Sequence, residues 1–222
     1  MPAWNRIAAR CLSTALCSLA VAPALAAQTL PASELTARAV AALAAEDFDA
    51  AVAAADSARR VAPDLSAVQL VVGQAYLSHA RANPSLGAIG KVKKGRAAVE
   101  RAIALDPANL EARTTLMQFL LQAPGFVGGS RDGARAQALE IERRDRERGL
   151  VARLEVAGVN GRKEEILGIF DEALPLLSRP GTRPALVRAF LDTARKLKNK
   201  DLRESLTARV YAAVPATAPA MP

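Results

Sequence analysis

Ala58-Arg59-Arg60-Val61-Ala62-Pro63 and Ala102-Ile103-Ala104-Leu105-Asp106-Pro107 share the pattern Ala-x-x-aliphatic-x-Pro at a spacing of 44 residues. Proline lacks an amide hydrogen and clashes with the preceding turn, and it drives the residue before it out of the helical region. Each segment is therefore the end of a helix. Working outward, the first ending closes a helix over about Ala50 to Val61. That helix is preceded by the turn Glu46-Asp47-Phe48-Asp49 and a helix over Ala32 to Ala45. The second closes a helix over Lys91 to Leu105. Before it come the breaker-rich loop Arg81-Ala82-Asn83-Pro84-Ser85-Leu86-Gly87 and a helix over Ser66 to His79. Helices joined by short turns are antiparallel neighbours. A helix pair that recurs at a fixed period, and cannot bury its apolar face alone, stacks into a solenoid.

Composition agrees. The 222 residues are 51% hydrophobic but only 4% aromatic, and alanine is abundant. Alanine is the best helix former and a poor strand former. No run of alternating Val, Ile, Thr or Tyr occurs. The expected fold is all-α, an α-solenoid of antiparallel helix pairs with no sheet.

The residues Gln69, Val72, Gly73 and Tyr76, followed by Gly95, Val99, Ala102 and Pro107, resemble the tetratricopeptide repeat (TPR) pattern Trp-x2-Leu-Gly-x2-Tyr, Ala-x3-Phe, Ala, Pro. Gln69 stands where the family has Trp, and about ten residues, around Arg81 to Gly90, are inserted between the two helices. In the first unit Ala51, Ala55, Ala58 and Pro63 fit the pattern, with Phe48 at the turn. The resemblance implies that Gly73 and Ala102 allow close helix contact, that Tyr76 fills the gap between pairs, and that Pro107 turns the chain. The segment Ala123-Pro124-Gly125-Phe126-Val127-Gly128-Gly129 resembles the Ala-Pro-Gly-x-x-Gly-Gly segment of a group of exported bacterial TPR proteins.

Later units carry weaker signals. Asn109 is an N-cap for a helix over Leu110 to Leu121. Further helices are expected over Arg131 to Arg148, Gly149 to Ala157, Arg162 to Leu177, Ala185 to Lys198 and Asp201 to Ala213. The Val159-Asn160-Gly161 turn and the break Arg179-Pro180-Gly181-Thr182-Arg183-Pro184 separate them. The repeat domain is expected over residues 27–213, and the Pro- and Ala-rich tail 214–222 is expected to be disordered.

Met1 to Ala26 has the build of a cleaved secretory signal peptide. A basic start (Arg6, Arg10) leads into an uncharged apolar run from Cys11 to about Val21, and Ala24-Leu25-Ala26 supplies the small-x-small cleavage pattern. The apolar run is short for a bilayer span of about 20 residues. Both cysteines lie in this segment, so the mature chain has none and is held by packing alone. The periplasm is the expected location, with secretion as second choice, and no membrane span is expected after cleavage.

The net charge of +8, or +6 without Arg6 and Arg10, is interspersed with acids, as in Glu142-Arg143-Arg144-Asp145-Arg146-Glu147-Arg148. Such a run is read as a solvated helix face with pairs at helical spacing. No aromatic residues accompany the basic clusters, so nucleic acid is not an expected partner.

Little in the chain suggests catalysis. His79 is the single histidine, placed where a helix dipole favours a C-terminal cap. No cofactor motif and no metal-ligand spacing occurs. Glu165 and Glu172 share a helix face and could do acid–base work; a solvated face beside Arg162 and Lys163 is the simpler reading. Gly125, Gly128 and Gly129 precede a helix, where amides attract anions, yet the Gly-Lys-Ser/Thr of a phosphate loop is missing. The expected role is a sharp turn.

What remains is the groove. The TPR resemblance implies that the first helix of each pair lines a concave surface where extended peptides lie. It turns Gln74, Ser78, Glu111, Thr114, Gln118 and Gln122 inward, and amides and hydroxyls suit peptide backbone because they donate and accept. A second candidate surface is the basic patch Lys91, Lys93, Lys94 and Arg96, suited to an anionic partner. The expected function is a non-catalytic adaptor or scaffold recognising a protein or peptide. An auxiliary subunit or carboxylate-dependent enzyme of the cell envelope, and self-association of the stack, are the alternatives.

Overall fold

The computed structural model describes residues 30–178, 184–197 and 200–213. The expected leader at 1–26, the break at 179–183 and the tail at 214–222 lie outside these residues. Within them the chain forms ten α-helices: α1 Ala32–Ala44, α2 Phe48–Val61, α3 Ser66–Ala82, α4 Ala88–Leu105, α5 Leu110–Gln122, α6 Arg131–Glu142, α7 Arg146–Asn160, α8 Lys163–Leu177, α9 Pro184–Lys196 and α10 Lys200–Ala213. A 3₁₀ turn covers Gly125–Val127, and no strand occurs among the described residues. The helices form five successive pairs, and α1, α3, α5 and α7 each touch the next odd helix. The odd helices thus form one layer and the even helices flank it, which is the architecture of an α-solenoid.

Local chemistry fixes the helix ends. Asp47, Asn109, Ser130 and Asp145 act as N-caps, their side chains accepting from Ala50, Ala112, Gly133 and Arg148 amides. Each satisfies an amide that has no partner within its helix. Asn109 Nδ2 also donates to Ser66 Oγ (2.9 Å), and Ser66 Oγ donates to the Ala102 carbonyl (2.9 Å), which ties the second repeat to the third. The inserted stretch in the second repeat is mostly helix. α3 runs on to Ala82 and α4 starts at Ala88, leaving only residues 83–87 as loop.

One expected helix is divided in the structure. The expected single helix Arg131 to Arg148 is two helices, α6 and α7, with a turn at residues 143–145. The amides of Arg144 and Asp145 both donate to the Ile141 carbonyl, and the Asp145 side chain then starts α7. The mixed-charge run is accordingly an inter-repeat corner. No Gly or Pro marks it, because a tight closure followed by a good N-cap turns the chain without either.

Three apolar clusters run along the stack. In the first repeats the packing is close enough to require glycine. A Cβ on Gly73 would meet Val99 Cγ2 at 2.3 Å, and one on Gly95 would meet Leu77 Cγ at 2.8 Å. Tyr76 packs among Ala51, Ala55 and Ala58, and its hydroxyl donates to Asp56 Oδ2 at 2.7 Å. It fills the space between the first two pairs, as the resemblance implies.

Candidate functional site

The odd helices expose a continuous inner face. Between α1, α3 and α5 lies a groove of about 900 Å³ with Val40, Leu70, Val71 and Phe119 among its apolar lining. Gln74, Ser78, Glu111, Gln118 and Gln122 all line it. Gln74 Nε2 donates to Glu111 Oε1 (3.2 Å) and lies 3.5 Å from Thr115 Oγ1, so α3 and α5 are linked across the groove floor. Gln74 and Glu111 stand 37 residues apart. The same offset relates Gln118 on α5 to Glu155 on α7, which are hydrogen-bonded. Neighbouring odd helices therefore run parallel in one register.

A second hollow of about 320 Å³ continues the face between α5, α7 and α9. Glu111 belongs to both hollows. Thr114 lines the second rather than the first, where Thr115 takes the place expected of it. Thr114 Oγ1 donates to the Leu110 carbonyl at 2.8 Å. The second hollow has Met117, Val151 and Leu186 as apolar lining and Glu111, Glu147 and Glu155 as carboxylates, with Arg148 at its edge. Burial holds the Glu155 carboxyl above the ordinary carboxylate range, while the Gln118 hydrogen bond and Lys196 act in the opposite direction. An acid whose folded pKa is raised keeps its full stability below the unfolded pKa, about 4.3, and loses stability as pH rises through the folded value. Glu155→Gln is thus expected to melt above wild type at pH 7, with the gap closing toward pH 4. Equal midpoints at pH 7 would contradict this.

Sequence reasoning missed Glu155, Glu147 and the contribution of α1. The position of Glu155 on α7 repeats that of Gln118 on α5, but this emerges only once α7 is known to start at Arg146.

No protein-family model matches the chain, and no curated protein sequence does. Among solved structures, the crystal structure of MamA protein superimposes with a TM-score of 0.52 at 15% identity, covering 82% of this chain and 89% of that one. The fold is a TPR-like α-solenoid. At this identity the likeness concerns fold alone.

Most of the other candidate residues have partners within the TPR-like stack. His79 is buried and is not a helix cap, contrary to the sequence reading. Its Nε2 lies 2.9 Å from Asp49 Oδ1 on α2, and Lys91 Nζ on α4 lies 3.0 Å from its Nδ1. The ring joins three helices, and the carbonyl of the same residue is taken by Asn83. In the basic patch Lys91 is committed to His79. Lys94 Nζ stands 5.7 Å from the centre of the Tyr76 ring, and Arg96 binds Glu100 (2.8 Å) and the Gly128 carbonyl (3.3 Å). Lys93 is exposed with no side-chain partner among the described residues.

The glycine segment is a structural turn. Gly128 has φ 101°, and a Cβ on Gly129 would stand 1.8 Å from the Ala123 carbonyl oxygen. The amides of Gly128, Gly129 and Ser130 donate to the carbonyls of Gly125, Pro124 and Leu120, so none is free for an anion. Glu165 and Glu172 are likewise engaged. Arg135 binds Glu165, and Arg153 forms a bidentate pair with Glu172 at 2.7 and 2.9 Å, which holds that carboxyl below its ordinary range. Glu172 is thereby kept ionised, the wrong state for a general acid.

Proposed function

We propose that the chain is a periplasmic or secreted scaffold that binds an extended segment of a partner protein on its inner face and leaves it chemically unchanged. The observation that carries this is the continuity of that face. Two hollows share Glu111 and run from α1 to α9, with apolar floors and Gln74, Gln118 and Gln122 spaced along them. Side-chain amides donate and accept, so they satisfy a peptide backbone that leaves water, while apolar pockets hold alternate side chains. The three carboxylates of the second hollow favour a segment with an aliphatic residue over Leu70 and Phe119 and a Lys or Arg against Glu111 and Glu155. Export is supported by the signal-peptide pattern of residues 1–26 and by the resemblance of Ala123 to Gly129 to exported TPR proteins. Among the described residues no helix is long and apolar enough to cross a membrane.

Affinity capture from envelope extract tests the groove. The Gln74→Ala/Gln118→Ala/Gln122→Ala variant is expected to keep its helicity and to lose a partner held by the wild type. Two or three lost hydrogen bonds at about 1 kcal/mol each correspond to a loss of at least tenfold in affinity. Equal capture by both proteins would remove the groove assignment. Export is checked by the mass of the protein recovered from the periplasm, expected to begin at Ala27; recovery only as an intact cytoplasmic chain would contradict it.

A further inference from the structure

Among the described residues that line the first hollow, Glu111 and Arg81 carry the charge. Glu111 lies in the first turn of α5 and takes the Gln74 amide of α3. Arg81 lies in the last turn of α3. It follows Gln74 by about two helical turns on the same face, which sets it about 10 Å farther along the groove at about 1.5 Å per residue. The offset of 37 residues that relates Gln74 to Glu111 puts Arg81 level with Gln118. Both charged side chains are exposed, and neither has an oppositely charged partner among the described residues. Other arginines of the same repeats are paired, Arg59 with Asp56, Arg96 with Glu100 and Arg101 with Asp64. A helix dipole favours an acid at a helix start and a base at a helix end, but on any face of the helix. Here both charges face the groove, which also holds Ser78, Thr115 and Gln118 as polar groups and Leu77, Val92 and Phe119 as apolar wall.

Resting on the groove as the binding face, we propose that its ligand is a dipolar polyproline II-like segment, with a Lys or Arg against Glu111 and, about three residues away, an Asp or Glu against Arg81. Such a segment rises about 3.1 Å per residue with about three residues per turn, so side chains at that spacing share a face and stand about 9 Å apart. This matches the separation of the two charges along the groove. A β-strand of the same length would turn the two side chains to opposite faces. A polyproline II backbone makes no internal hydrogen bonds, which leaves its amides and carbonyls to Gln74, Gln118 and Gln122. The planar guanidinium fork takes a carboxylate through two parallel hydrogen bonds, and the pair strengthens as the ligand displaces water from the apolar wall. A phosphate, with its greater charge, is less well matched, because Arg81 is the one cation among the described residues of this lining. The charged pair fixes the register of the segment, which the neutral glutamines alone would leave free to slide.

The test selects random peptides displayed on phage against the immobilised full chain, as wild type, Arg81→Glu and Arg81→Gln, with helicity checked for each. Wild type is expected to enrich peptides that carry a base and an acid about three residues apart. Arg81→Glu is expected to enrich a second base in place of the acid, and Arg81→Gln to lose the preference at that position. A peptide selected by wild type should bind Arg81→Glu at least tenfold more weakly, and exchange of its acid for Lys should restore the affinity. Peptides selected without an acid, or bound equally by wild type and Arg81→Glu, would overturn the proposal while leaving the groove as the binding face, provided that Gln74→Ala/Gln118→Ala/Gln122→Ala abolishes their capture. Selection of no peptide by wild type would overturn the groove reading and this proposal together. Because all variants share residues 1–26, adhesion through that segment does not produce a difference between them.

Discussion

Phe170→Ala is expected to cost about 3–5 kcal/mol, the range for truncating a fully buried aromatic ring. Phe170 on α8 is 0% exposed and meets Phe190 of α9 edge to face, with centroids 5.5 Å apart and planes at 87°. The Arg209 guanidinium of α10 covers the same ring at 4.4 Å, and its Nη2 donates to Asp171 Oδ1 at 2.7 Å. One side chain therefore joins three helices, and its loss leaves a cavity that none of them fills alone. In a solenoid each repeat contacts only its neighbours, so damage stays local. The expected denaturation profile by circular dichroism has an early transition, accounting for the last four helices, before the main one. A single transition displaced by less than about 1 kcal/mol would show that the ring is not the keystone of this end.

Gly149→Ala is expected to destabilise by about 1–3 kcal/mol or more, even though alanine is favoured over glycine in a helix by about 1 kcal/mol. A Cβ at position 149 would stand 2.2 Å from both Cα and Cβ of Glu142 and 2.7 Å from its amide nitrogen. Those atoms belong to the end of α6, so relief requires α6 and α7 to move apart, and with them Ile141 and Ala152 of the shared core. Gly168 is the control. It lies on an exposed face of α8, and a Cβ added there would meet nothing within 4 Å, so Gly168→Ala is expected to stabilise by about 0.5–1 kcal/mol. Thermal melts of the two variants should shift in opposite directions. A Gly149→Ala protein as stable as wild type would mean that the α6–α7 corner yields freely.

The repeats that were legible in the sequence are those in which one residue type has one physical use. Pro63 and Pro107 end helices, Asn109 caps one, and Gly73 stands where α3 and α4 touch. The fold class followed from these positions. The corner at Arg143 to Asp145 was not legible. Its turn is made by backbone hydrogen bonds and an aspartate cap inside a run of charges that also suits an uninterrupted helix. Misplacing that boundary concealed the inward face of α7, and with it Glu155. The groove residues of α3 and α5 followed from the TPR resemblance, except that Thr114 and Thr115 are adjacent and face different hollows. His79 was misread because position along a helix says nothing about a neighbour 30 residues away, and Asp49 is that neighbour.

The central claim is that a partner lies on the inner face. Site-specific photocrosslinking in the cell tests it most directly, with a photoreactive residue placed at Ser78 or Thr115 in the groove and, for comparison, at exposed Ala53 on the flanking helix α2. The same covalent adduct is expected from Ser78 and Thr115, and none from Ala53. Adducts from Ala53 alone, or from none of the three positions, would contradict it.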